Sequence, residues 1–130
     1  MKATELMVGD WVCLKDDTKC ELPLKVDGVL TDDISLEGEG FLGGVDGLIR
    51  PIPITPEILE KNGWKRNKIF MDIKASENFN INFSWTDRYG ESLFLNGYYM
   101  CDCKYVHTLQ HALHLCGFNE LNELADNFKI

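Results

Sequence analysis

From residue 79 the chain alternates strictly: Phe79, Ile81, Phe83 and Trp85 fall on one side of an extended segment, and Asn78, Asn80, Asn82 and Ser84 on the other. A period of two marks a half-buried strand. Ile69, Met71, Ile73 and Ala75 repeat the pattern just upstream, so two neighbouring strands are predicted. Asp87-Arg88-Tyr89-Gly90 offers a turn. Asn96-Gly97, between Leu93-Phe94-Leu95 and Tyr98-Tyr99-Met100, is a two-residue hairpin signal, because both central positions tolerate positive φ. The result is an antiparallel meander of about four strands. After it the period lengthens. Val106, Leu109, Ala112, Leu113 and Cys116 recur at helical spacing and Gly117 supplies a stop, which predicts a helix over residues 105–116 packed on the meander. A weaker helical pattern runs from Asn119 to Phe128.

The N-terminal half follows a different rhythm. Gly9-Asp10 is a tight turn followed by β-favouring residues, which predicts a strand over Trp11–Leu14. Acids and glycines then punctuate short apolar runs at 24–30, 34–36 and 40–45, the pattern of a compact antiparallel sheet or an SH3-like small barrel. Arg50-Pro51-Ile52-Pro53-Ile54 lacks two ladder donors and suits an extended edge or connector. Next, Thr55 can cap a helix, Pro56 suits its first position, Glu57 favours its positive end and Gly63 can take the left-handed stop. The fold class expected is therefore α+β in a single domain spanning 1–130: a small β unit (1–54), a short linking helix, and a meander covered by a helix (55–130).

Composition agrees with this reading. An apolar content of 45%, with seven Phe, four Tyr and three Trp among 130 residues, can fill a core without a staple. Twenty-one acids against thirteen Lys and Arg give a net charge of −8, which repels phosphate backbones and anionic lipid. An acidic mimic of DNA would carry a denser array of carboxylates than this. No apolar run reaches the length of a membrane span and no signal-peptide core is present, so a cytoplasmic protein is expected. Five cysteines, an odd number without secretory context, suggest free thiols rather than a disulfide framework.

Candidate chemistry is sparse. His107, His111 and His114 form one stripe, nearly opposite Leu109, Leu113 and Cys116, and are expected to face outward. Thr108 stands where HExxH chemistry needs Glu. Cys101 and Cys103 extend the set to C-x-C-x3-H-x3-H, whose donors suit zinc, but residues at i and i+2 of a strand need a bend to converge on a metal. Asp16-Asp17, Asp32-Asp33, Glu37 and Glu39 read as turn formers and solubilising charge. Gly38, Gly40, Gly43 and Gly44 lack a following helix to receive phosphate. Cys116 lies on the buried stripe, where a thiol stays protonated. Among the aromatics, Trp11, Trp64, Trp85 and Tyr98 read chiefly as core; Tyr89 and Tyr99 are the first candidates for a partner-contact patch, beside the histidine face. The local basic cluster of Lys61, Lys65, Arg66 and Lys68 is too small for a nucleic-acid footprint.

Three segments, KATELMVGDWV at 2–12, PIPITPEILEKNGW at 51–64 and KYVHTLQHALHLCG at 104–117, together resemble a family of short uncharacterised proteins from gut Bacteroides genomes, their prophages and mobile elements. The resemblance implies a bacterial cytoplasmic setting and a phage or mobile-element origin, and carries no activity, cofactor or catalytic residue. The leading expectation is a non-enzymatic interaction or adaptor protein with a protein partner and no cofactor. Two alternatives stand beside it. One is a small nucleic-acid-associated barrel, on the strength of L-x-x-G-D-x-V; the other is an enzyme whose site is assembled from distant residues.

Overall fold

A computed structural model of the chain describes residues 5–31, 33–43, 48–68, 70–86 and 90–130. The chain is α+β and divides into two compact units, Met1–Pro53 and Ile54–Ile130.

The first unit opens as its sequence implies. The Asp10 carboxylate accepts from the Met7 amide at 2.8 Å, and Gly9 turns at φ 97° before its own amide donates to the Val26 carbonyl at 2.7 Å. This turn launches β1 (Trp11–Leu14), followed by β2 (Leu24–Val29), β3 (Asp33–Leu36), β4 (Gly40–Gly43) and β5 (Ile49–Pro51). All pairings are antiparallel, in the order β4-β3-β2-β1-β5. The described strands form an open sheet rather than a closed barrel, with β4 and β5 at its edges. Pro51 sits on an edge strand, where its missing donor removes no ladder bond. Alternate residues Val12, Leu24, Val26, Ile34, Leu36 and Ile49 join Leu6 in one aliphatic core. At Gly28, beside a bulge in β2, an added Cβ would lie 3.3 Å from that of Ser35, a tight contact between the paired strands.

The second unit begins with α1 (Pro56–Lys61). Thr55 Oγ1 accepts from the Ile58 amide at 3.2 Å, and Gly63 turns at φ 86° beyond the helix end. Then come β6 (Lys65–Asn67), β7 (Phe70–Ser76), β8 (Phe79–Thr86), β9 (Gly90–Leu95) and β10 (Tyr98–Asp102), an antiparallel meander in chain order. It has five strands instead of about four, β6 being the one that periodicity does not announce. Its inner face carries Met71, Ile81, Phe83 and Leu93, brought into line by the pairs Met71↔Phe83 and Phe83↔Leu93. The Asn96-Gly97 turn has φ of 49° and 83°, the double positive that a tight hairpin requires. The expected turn at Asp87–Tyr89 and the expected inward position Ile69 lie outside the described residues, as does the end of the apolar run at 40–45.

Two helices complete this unit, α2 (Val106–Leu115) and α3 (Asn119–Asp126). They pack together, with Gln110 Nε2 donating to the Ala125 carbonyl at 3.1 Å in a buried setting. Past α3, the Asn62 side chain donates to the Lys129 carbonyl and accepts from the Lys129 amide, both at 2.8 Å, tying the end of α1 to the last residues described. Among the described residues no helix is long and apolar enough to cross a membrane.

Candidate functional site

The histidine stripe is not a solvated face. His107 is only 8% exposed, a correction to its expected outward position. The cause is local packing. Tyr105 stacks on the His107 ring at 6.0 Å between centroids, and His111 meets it edge-on at 5.7 Å. His114 reaches α3 as well: its Nε2 lies 3.0 Å from Asp126 Oδ1 and its Nδ1 3.2 Å from Asn122 Oδ1. The stripe is therefore largely absorbed in helix–helix and ring contacts.

Cys101, Cys103, His107 and His111 do not converge on a common point within metal-binding reach, as judged among the described residues. Cys103 is fully buried, and burial drives its thiol far toward the protonated form. Burial also raises the pKa of Cys101 and Cys116. None of the three thiols has the lowered pKa that a thiolate nucleophile requires.

The remaining cysteines behave differently from expectation. Cys13 and Cys20 are joined as a disulfide, with their Cα atoms 5.8 Å apart. The pairing depends on the chain doubling back after β1, which cysteine counting does not reveal. In the enclosed loop Asp17 accepts from the Glu21 and Leu22 amides at 2.9 and 2.8 Å, bonds that hold its carboxyl below the usual carboxylate range. The Arg50 guanidinium donates to the Asp17 carbonyl and so ties β5 to the same loop. Ligand atoms of Cys13, Asp17 and Cys20 lie within 4.8 Å of one another, but sulfurs bonded to each other are not thiolate ligands.

The meander has two exposed edges, β10 and β6. On β10, Tyr98 is 79% and Tyr99 51% exposed. The Tyr99 hydroxyl donates to Asp102 Oδ1 at 2.7 Å, which fixes the ring and raises the hydroxyl's pKa above its ordinary value; Phe94 meets the same ring edge-on at 5.9 Å. Tyr99 was expected at the surface from sequence. Tyr98, read there chiefly as core, is the more exposed of the two because the turn at Asn96-Gly97 ends just before it. Tyr89, the other candidate for a contact patch, lies outside the described residues.

At the opposite edge, β6, β7 and β8 carry an open cleft of about 580 Å³ lined by Lys65, Arg66, Asn67, Asp72, Lys74 and Asn80, among others. The register explains the grouping. Lys65 lies opposite Asp72, Asp72 opposite Asn82, and Lys74 opposite Asn80. Asp72 is held by amides: Asn82 Nδ2 donates to its Oδ1 at 2.6 Å and Asn67 Nδ2 to its Oδ2 at 2.8 Å. Arg66 Nε pairs with Glu60 Oε1 at 3.2 Å. Sequence reading found Lys65 and Arg66 as a basic cluster but missed Lys74, Asn67 and Asn80, whose place beside them depends on strand pairing.

Comparison with family models, with curated proteins and with solved structures finds no match.

Proposed function

We propose that this chain is a non-enzymatic interaction protein that takes an extended segment of a protein partner along the β10 edge. The observation that carries this reading is the pair Tyr98 and Tyr99, 79% and 51% exposed on the terminal strand of the meander. An edge strand offers backbone donors and acceptors to an incoming strand. Tyrosine adds large contact area at low cost in conformational entropy, and the bond to Asp102 orders the Tyr99 ring in advance. The raised thiol pKa values and the packed histidines also favour binding over covalent catalysis.

Photo-crosslinking tests the proposal. A benzophenone amino acid placed at Tyr98 is expected to give a discrete adduct with one partner in lysate of the source cell, and the same probe at Glu57 on α1 is expected to give none. Adducts of equal yield from both positions, or none from Tyr98, would reject the β10 edge as the contact surface.

A further inference from the structure

We infer that the cleft on β6, β7 and β8 is a binding site for an organic phosphate, with Lys65 and Lys74 on the phosphate and Asp72, Asn67 and Asn80 on the rest of the ligand. The inference is independent of the β10 edge and starts from charge. In a chain of net charge −8, three cations and one carboxylate line this single cleft. That carboxylate is held by neutral amides rather than by an ion pair with a lysine. Directly opposed side chains on paired strands lie within reach of each other, yet each Asp72 oxygen accepts from a side-chain amide, Oδ2 from Asn67 and Oδ1 from Asn82. Lys65 and Lys74 have no ion pair among the described residues, whereas Arg66 is engaged with Glu60.

The cations of the cleft indicate an anionic ligand. Lysine, a compact point charge, binds phosphate as arginine does, and Lys65 and Lys74 together suit a multiply charged anion. A cleft of about 580 Å³ exceeds what a bare phosphate fills and falls within the range of small-molecule sites. Asp72, fixed in orientation by two amides, presents acceptor capacity to hydroxyl or amino groups, and Asn80 can both donate and accept. Lys65 and Lys74 flank a fixed acceptor, Asp72, an arrangement that suits a ligand carrying both an anionic group and a hydrogen-bond donor.

The test is a titration of the full chain, isotope-labelled, by nuclear magnetic resonance at low salt, using adenosine triphosphate, inorganic triphosphate and adenosine as probes. Expected are amide shifts at residues 65–67, 72–74 and 80–82 with both phosphates, tighter binding of the nucleotide, and no shift with adenosine. The double variant Lys65→Ala/Lys74→Ala is expected to weaken nucleotide binding at least about tenfold through the loss of two charge-assisted contacts. Lys15→Ala/Lys19→Ala, which alters exposed lysines of the first unit, is expected to leave it unchanged. Asp72→Asn removes the negative charge and is expected to strengthen inorganic triphosphate binding, a direction that damage to the fold cannot produce. Absence of localised shifts, equal loss in the two double variants, or equal affinity for nucleotide and inorganic triphosphate would overturn the assignment. Binding of single-stranded oligonucleotides without binding of the small phosphates would overturn it in favour of a nucleic-acid surface.

Discussion

The two five-stranded sheets of this protein reach stability with different materials. In the first, β1 to β5 bury an aliphatic cluster of short side chains, and a disulfide and the Arg50 contact secure the loop after β1. In the second, β6 to β10 bury Phe83, Met71, Ile81 and Leu93, and α2 and α3 contribute Leu109, Leu113 and Leu121 to the buried set of that unit. Domains this small gain less apolar burial per residue, so a unit with no α-helix among its described residues depends more on covalent and polar ties. The lesson is that loop chemistry matters most where the core is thinnest.

Perturbing the larger core should have the greatest effect. Phe83→Ala is expected to cost about 3–5 kcal/mol, read from urea unfolding. Hydrogen exchange should show the loss in β7 to β9; an equal loss in β1 to β3 would break the contrast between the units. Cys20→Ser is expected to cost about 2–3 kcal/mol through the freed loop, with lost protection confined to the first sheet. The same cost in β7 to β9 would again remove the distinction. Asn62→Ala leaves the Lys129 backbone groups without their partner and is expected to cost about 1–3 kcal/mol, visible as faster exchange at Lys129.

The smallest effect expected is a response to pH in the first unit. Asp17 has its carboxyl pKa lowered below 3.8, first by the Leu22 amide and then by that of Glu21. A depressed folded pKa confers stability that is present above the unfolded value and is lost as pH falls through the folded one. Amide signals of Glu21 and Leu22 should therefore move together as pH falls below the ordinary carboxylate range, while those of the second sheet stay in place. Movement at neutral pH would show that the carboxylate bonds are not what holds the loop.

Local chemistry was legible in the sequence. The Thr55 cap, the Gly63 stop, the Asn96-Gly97 hairpin and the period-two strands depend on neighbours a few residues away, and the structure contains all of them. The α+β class follows from the same signals. What could not be read depends on distant pairing. Lys65-Arg66-Asn67 has no apolar alternation and becomes a strand only because β7 lies beside it. The cleft needs Lys74 and Asn80 from two further strands, and His107 lies buried against the rings of Tyr105 and His111, contacts that helical periodicity alone does not show. Cys13 and Cys20 look unrelated until the loop folds back.

The link between Asn62 and Lys129 also bears on the order in which this unit can fold. Its partners are separated by 67 residues, so α1 is made long before the backbone groups that its terminal amide will bind. At ordinary synthesis rates that interval is roughly 3–13 s, much longer than the microseconds in which a hairpin forms. The meander can be in place well before this contact closes, which makes the fastening of the last residues to α1 a late event, and the first to open when the unit is stressed.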